Sequence, residues 1–132
     1  MALSTSLVPM LFKLFSKPRP IRPISRVYDL KSRLDWGEPA LTIVDIRDRA
    51  TFNEGHITGA ISIPESELVS RVQRSLELSR DIYVCAGLDD EAVAAAQALR
   101  TAGYQRVSVI RGGAAAWKAA GFPIEKTSLV AA

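Results

Sequence analysis

Short apolar runs alternate with helix-like stretches along this chain of 132 residues, and this alternation limits the fold more than any other feature. Strands rich in β-branched residues are predicted at 41–45, 60–64, 82–85 and 107–110. Helices are predicted between and after them at 66–78, 90–102 and 114–120. The central strands are apolar throughout, which is typical of parallel strands that are covered on both faces. The sequence therefore predicts an α/β sandwich with a mainly parallel central sheet and helices on both faces.

One more helix is predicted before the first strand. Ser25 has the side chain of an N-cap, apolar residues follow at helical spacing, and Gly37 would end the helix. The predicted domain therefore extends over residues 25–126, and residues 127–132 form a short tail.

Charge is distributed unevenly along the chain. The net charge is +3, but residues 1–26 contain five basic residues and no acidic one, so the remainder has 12 basic and 14 acidic residues. Without a basic surface on the folded part, no nucleic-acid binding is expected. One cysteine and one histidine do not make a disulfide or a zinc site, so no metal and no cofactor are predicted. A cytoplasmic location is compatible with this cysteine content.

Residues 1–24 are predicted to form a basic, proline-containing leader and linker. Three prolines between positions 18 and 23 favour an extended chain, and the apolar stretch 6–15 is too short to span a bilayer. Three interpretations stay open: a disordered leader, an organellar transit-like leader, and weak contact of residues 6–22 with a membrane surface.

Three motifs stand in a fixed order beside the predicted strands. Asp45 closes the first strand and Arg47 and Asp48 follow it, Gly-His-Ile-Thr-Gly-Ala at 55–60 precedes the next strand, and Gly-Gly-Ala-Ala-Ala-Trp occupies 112–117. Together they resemble the rhodanese-like domain family over roughly residues 25–125. The resemblance implies the rhodanese three-layer sandwich. In active members it also implies a persulfide on a cysteine in a strand-to-helix loop, which passes sulfur from a donor such as thiosulfate to a nucleophilic acceptor.

Cys85 is the candidate nucleophile, because it lies between a strand end and a helix N-terminus, where the helix dipole favours a thiolate. The resemblance implies a loop of the form Cys-Arg-x-Gly-x-Arg-Ser before a helix that ends in Ala-Gly-Tyr. Counting back from residues 102–104 places the nucleophile position at Ala86, one residue after Cys85. The loop equivalent is then formed by six residues: Ala86, Gly87, Leu88, Asp89, Asp90 and Glu91.

This offset of one residue has physical consequences. Successive strand residues point to opposite faces of a sheet, so Cys85 is predicted to pack in the interior. The two loop arginines of the family fall on Gly87 and Glu91, and the loop carries three carboxylates instead. Carboxylates raise the pKa of a nearby thiol and repel an anionic donor. Phosphatase-like chemistry is excluded, since it needs an arginine six residues after the cysteine, where Glu91 stands.

The remaining motif residues have structural interpretations. Asp45 and Arg47 are expected to form an ion pair that orients the loop before His56, and His56 is expected to pack and hydrogen-bond in a tight turn. Two functions follow. The favoured one is a non-catalytic binding or regulatory module for an unknown protein or small-molecule partner; the alternative is a sulfurtransferase that uses Cys85 as the persulfide carrier.

Overall fold

The structure, a computed structural model, describes residues 21–37 and 40–127. Most of the predicted leader and of the predicted C-terminal tail lies outside these residues, as does nearly all of the segment expected to contact membranes. None of the helices within residues 21–37 and 40–127 has both the length and the hydropathy of a membrane-spanning helix.

Strands and helices alternate as predicted from the sequence. In chain order the elements are β1 (Ile24–Ser25), α1 (Val27–Asp35), β2 (Leu41–Asp45), α2 (Arg49–Glu54), β3 (His56–Ile57), β4 (Ile61–Ser62), α3 (Leu68–Ser75), β5 (Asp81–Cys85), α4 (Asp89–Thr101), β6 (Val107–Ile110), α5 (Gly113–Ala119) and β7 (Ile124–Glu125). One turn of 3₁₀ helix at Glu65–Glu67 leads into α3.

Five strands form one sheet in the order β1-β6-β5-β2-β4, and every neighbouring pair is parallel. Asp45 at the end of β2 pairs with Cys85 on one side and with Ser62 on the other. The carboxyl ends of β4, β2 and β5 therefore meet at one edge of the sheet. The short strands β3 and β7 form a separate antiparallel pair.

Two hydrophobic clusters cover the two faces of the sheet. On one face, Val84 belongs to a buried cluster with residues of α3 and α4, including Leu99. On the other face, Tyr83 and Cys85 belong to a cluster with residues of α1, α2 and α5, including Trp117. Alternate residues of β5 thus enter opposite layers, as the two-residue period of a strand requires. This arrangement confirms the predicted mainly parallel sheet with helices on both faces.

The prediction that Ser25 caps the first helix is wrong. Ser25 lies in β1, is buried, and its hydroxyl contacts the Ser108 hydroxyl at 2.5 Å. Arg26 is the N-cap residue of α1, and its backbone N–H donates to the Asp29 carboxylate at 2.9 Å. Pairing with β6 thus determines the conformation of Ser25 in place of local capping. The same pairing brings Ile24, predicted as linker, into the sheet.

Several short elements have no counterpart in the sequence-based prediction. The helix predicted at 66–78 ends at Ser75, because Leu76 is extended. Helix α2 and the β3–β7 pair were not predicted. An α-helix of six residues and strands of two residues are too short to show a hydrophobic period.

Candidate functional site

The carboxyl ends of β2 and β5 border a pocket with a volume of about 240 Å³. The site follows from the parallel sheet, since ligands of open α/β sheets bind beyond the carboxyl ends of strands. The backbone N–H of Ile46 donates to the Cys85 carbonyl at 2.9 Å and holds the two strand ends together. The pocket is lined by Ile46, Arg47, Asp48, Thr51, Ala86, Gly87 and Glu91.

Ala86 lines this pocket and Cys85 does not. The Cys85 side chain is fully buried and belongs to the cluster beneath α1, α2 and α5. Ala86, the next residue, belongs to the opposite cluster and borders the pocket. The side chains of these two neighbouring residues therefore lie in different layers of the molecule.

The surroundings of Cys85 disfavour its thiolate. Burial raises the pKa of the Cys85 thiol strongly, and the neighbouring Asp45 carboxylate raises it further. The Arg47 guanidinium acts in the opposite direction on this pKa, but its effect is smaller. The thiol is therefore protonated at neutral pH.

Arg47 and Asp45 form a buried ion pair at the end of β2. Arg47 Nη2 donates to Asp45 Oδ2 at 2.7 Å and Arg47 Nε to Asp45 Oδ1 at 2.9 Å. Asp45 Oδ1 also accepts the Arg47 backbone N–H at 3.0 Å. The hydrogen bonds that Arg47 donates to the Asp45 carboxylate raise the pKa of Arg47. Arg47 Nη2 also donates to the Gly55 carbonyl at 2.8 Å. The pair therefore connects the end of β2 to the segment that follows α2.

Asp48 places a carboxylate at the rim of the pocket. It is the N-cap residue of α2 and accepts from the Thr51 backbone N–H and the Thr51 hydroxyl, each at 2.8 Å. The backbone hydrogen bond from Thr51 is the main reason why the pKa of Asp48 is lowered. Asp48 is therefore ionised over the physiological range.

The acidic loop is attached to the glycine turn before α5. Asp89 accepts the Gly112 backbone N–H at 2.9 Å. Gly113 approaches the loop so closely that a Cβ there would lie 2.6 Å from the Ala86 carbonyl oxygen. Asp90 and Glu91 follow in the first turn of α4, and Leu88 is 66% exposed. The loop after β5 thus carries three carboxylates and an exposed leucine.

His56 lies outside the pocket lining and is buried in the structure. Its ring stacks on Phe52 with 3.7 Å between ring centroids, and Nδ1 lies 2.8 Å from the Phe52 carbonyl oxygen. Nε2 lies 3.2 Å from the Glu125 carboxylate. His56 therefore connects α2 with β7, and it is part of a short strand rather than of an isolated turn.

Sequence reasoning did not identify Ile46 and Thr51 as pocket residues, nor Glu125 as the partner of His56. The spacing Asp48-x-x-Thr51 is a capping signal that could have indicated the short helix α2. No such signal exists for Glu125, because it meets His56 only through the pairing of β3 with β7. Among residues 21–37 and 40–127, no group of three or more His, Cys, Asp or Glu side chains could hold a metal ion.

Comparison with known proteins agrees with this architecture. The family model of the rhodanese-like domain matches residues 27–120. The crystal structure of the Alr3790 protein from Anabaena sp. has a TM-score of 0.77 at 52% identity and covers 80% of this chain and 94% of that chain. Thiosulfate sulfurtransferase from Pseudomonas aeruginosa has a TM-score of 0.72 at 25% identity, covering 80% of this chain and 20% of that chain.

Among curated proteins, YibN from Escherichia coli (strain K12) is 33% identical over 84 residues, which are 62% of this chain and 59% of YibN. The chain thus spans about three fifths of the length of that relative. The parallel sheet, the pocket at its carboxyl edge, the motifs in the predicted order and the family model over residues 27–120 all agree. This chain belongs to the rhodanese-like domain family.

Proposed function

We propose that this rhodanese-like domain is a non-catalytic binding or regulatory module with a degenerate active loop. One observation carries the proposal: the pocket is lined by Ala86, while the adjacent Cys85 is fully buried in the opposite layer. A persulfide carrier needs a sulfur atom that a donor and an acceptor can both reach. Alanine at the pocket position has no nucleophilic atom.

The state of the cysteine supports the same function. The thiolate is the reactive form of cysteine, and both burial and the Asp45 carboxylate disfavour it at position 85. To react, the thiol would have to leave its cluster beneath α1, α2 and α5 and lose its proton as well. Each requirement lowers the concentration of reactive sulfur.

The charges around the pocket also argue against an anionic sulfur donor. Asp48 and Glu91 line the pocket, and Asp90 is exposed in the same turn as Glu91. Arg47 also lines the pocket, but its guanidinium is paired with the buried Asp45 carboxylate. Thiosulfate would therefore meet carboxylates without the paired arginines that the family's active loop supplies. A protein or small-molecule partner without negative charge suits this pocket better.

An assay of thiocyanate formation tests the proposal. The purified chain, its Cys85→Ser variant and a blank without protein are incubated with thiosulfate and cyanide, and a sulfurtransferase of known activity is assayed in parallel. We expect no thiocyanate above the blank from either form of the chain, and no gain of one sulfur atom in the intact mass. Thiocyanate formed by the unmodified chain and lost in Cys85→Ser would overturn the proposal in favour of a persulfide on Cys85.

A further inference from the structure

The end of the sheet opposite the pocket carries basic and exposed apolar side chains. Because all five strands of the sheet are parallel, their amino ends share one edge. Helices α1, α3 and α4 each lead from the carboxyl end of one strand to the amino end of the next strand in the chain. Their last turns and the links that follow them therefore lie at this edge. We call it the amino-end face and define it by Trp36, Arg74, Leu78, Arg80 and Arg100.

Arginine dominates the charge of the amino-end face. Three arginines bond neutral oxygens: Arg74 the Ser70 carbonyl at 3.3 Å, Arg80 the Thr42 hydroxyl at 2.9 Å, and Arg100 the Val107 carbonyl at 2.9 Å. Their positive charges are thus not cancelled by these contacts. Two further arginines, Arg33 and Arg106, share the Asp81 carboxylate. Two exposed carboxylates also lie at this edge: Glu77 in the link between α3 and β5, and Asp35 at the end of α1, which pairs with Lys31.

The amino-end face also exposes two large apolar side chains. Trp36, the C-cap residue of α1, is 82% exposed, and Leu78, between α3 and β5, is 56% exposed. Arginine in the last turn of a helix is explained by the helix dipole alone, and this applies to Arg74 and Arg100. The dipole does not explain an exposed indole and an exposed isobutyl group. They lie at the same edge of the sheet as Arg74, Arg80 and Arg100, so this edge combines apolar and basic side chains.

The sequence before β1 indicates which kind of partner suits this edge. Strand β1 is parallel to β6, so the preceding chain approaches the sheet from the amino-end side, and the Pro23 carbonyl accepts the Val109 N–H at 2.8 Å. Residues 1–22 contain four basic residues, no acidic residue and the apolar pairs Leu11-Phe12 and Leu14-Phe15. A basic and apolar segment therefore joins the domain on the side where its basic and apolar face lies.

We propose that the amino-end face docks on an anionic lipid membrane. Tryptophan prefers the membrane–water interface, where its ring is apolar and its N–H reaches polar groups. Guanidinium groups bind lipid phosphates, and basic residues near an anionic leaflet are attracted electrostatically. In this orientation the pocket and the acidic loop point away from the lipid into the aqueous phase. A nucleic acid could bind the arginines through its phosphates, but its phosphate backbone makes no apolar contact with the exposed Leu78.

Tryptophan fluorescence of the full chain tests the docking directly. The two tryptophans are Trp36, which is 82% exposed, and Trp117, which is 1% exposed, so a change on binding reports Trp36. We expect a blue shift with vesicles of phosphatidylcholine and phosphatidylserine, and none with phosphatidylcholine alone. The shift should be absent in Trp36→Phe. If the full chain binds anionic vesicles without any shift of Trp36, the proposal is overturned.

Matched variants distinguish membrane binding by the amino-end face from membrane binding by the N-terminal segment, residues 1–22. Leu78→Ser removes an aliphatic side chain that is 56% exposed, and its control, Val93→Ser, removes one that is 45% exposed on α4. Arg74→Gln is compared with Arg111→Gln, which follows β6 at the opposite edge. We expect Arg74→Gln to lower vesicle partitioning about fivefold and Arg111→Gln to leave it unchanged.

Two further outcomes would contradict the docking proposal. In the first, the amino-end variants and their controls partition equally, which would assign all binding to residues 1–22. In the second, a single-stranded RNA oligonucleotide binds the chain and displaces it from anionic vesicles at equal phosphate concentration. Circular dichroism of each variant shows whether it is folded, and all four substituted side chains are at the surface.

Discussion

At the scale of single residues, positions 85 and 86 explain most of what is unusual about this domain. The strand period sends Cys85 into the layer beneath α1 and α5 and Ala86 toward the pocket. Cys85 and Ala86 are adjacent in the chain, but their side chains therefore lie in different layers of the domain. Proximity along the chain is a poor guide to reactivity where neighbouring residues face opposite sides of a sheet.

The accessibility of the two positions can be compared with a thiol reagent. We expect Cys85 in the native chain to react on the order of 100-fold more slowly than a single cysteine at position 86, because its reaction requires local opening of the structure. The comparison uses the double variant Cys85→Ser/Ala86→Cys, and labelling is followed by mass spectrometry with a denatured control. Equal rates in the two proteins would show that Cys85 is accessible.

The buried thiol also predicts how stability depends on pH. The pKa of Cys85 is raised above its ordinary value of 9.0 in the folded state, so the unfolded chain loses this proton at a lower pH than the folded chain. Its contribution to stability is complete below pH 9 and is lost as the pH rises above it, by up to about 1.4 kcal/mol per pH unit.

Urea unfolding between pH 8 and pH 10.5 measures this loss. We expect Cys85→Ala to reduce the slope of unfolding free energy against pH, whatever its effect on stability at pH 8. A residual slope of the same sign should remain, because burial also raises the pKa of Tyr104. An unchanged slope in Cys85→Ala would contradict the raised thiol pKa.

At the scale of elements, the pocket loop and the turn before α5 form one unit. Asp89 accepts the Gly112 N–H at 2.9 Å, and Gly113 packs against the Ala86 carbonyl. Gly113 has a φ of +55°, a region that side chains other than glycine rarely adopt. The glycine pair that helped to identify the family therefore packs against the backbone of Ala86, a residue that lines the pocket.

Two glycine substitutions test this unit. We expect Gly113→Ala to lower the free energy of unfolding by about 2–4 kcal/mol, since the new Cβ meets the Ala86 carbonyl oxygen at 2.6 Å and the backbone is strained. Gly87→Ala is the matched control in the same loop, because a Cβ there has no neighbour within 4 Å. Equal urea midpoints for the two variants would contradict the close approach.

At the scale of the whole molecule, the two edges of the sheet differ in charge. The carboxyl edge carries Asp48, Asp89, Asp90 and Glu91, while the amino edge carries the arginine-rich face. Parallel strands linked by helices produce this polarity, because every linking helix begins at one edge and ends at the other. Acidic first turns and basic last turns also stabilise the helix dipoles. The arrangement gives the domain two chemically distinct ends.

Asp81 is the buried carboxylate that holds the amino edge together. Burial alone would raise its pKa, but hydrogen bonds and charge from Arg106 and Arg33 outweigh burial and lower it. We expect Asp81→Asn to cost about 2–4 kcal/mol of unfolding free energy at pH 7, because two guanidinium groups lose their carboxylate. Asp90→Asn, at an exposed position, should change stability little.

Measuring the free energy of unfolding at acidic pH shows whether the ionised form of Asp81 stabilises the fold. The lowered pKa means that this contribution is present above about pH 4 and is lost as the pH falls through the folded-state pKa. The difference between the unmodified chain and Asp81→Asn should therefore shrink in acid. A difference that is constant from pH 7 to pH 2.5 would mean that ionisation of Asp81 contributes nothing.

The sequence by itself determined the fold class, the family and the position of the pocket. Apolar runs such as 41–45 and 107–110 have one dominant conformation, and the motif residues lie next to them in the chain. Counting residues also predicted that Ala86, and not Cys85, stands at the family's nucleophile position, and this stays a prediction. These features depend on local chemistry and short spacings, which a sequence shows directly.

Only the tertiary structure decided the features that join distant segments. Ser25 became a strand residue through β6, His56 met Glu125 through the β3–β7 pair, and Asp81 gained two arginines from α1 and from the link before β6. Each partner lies at least 25 residues away in the chain. No local pattern indicates such contacts, because they arise when burial of the two cores brings separate elements together.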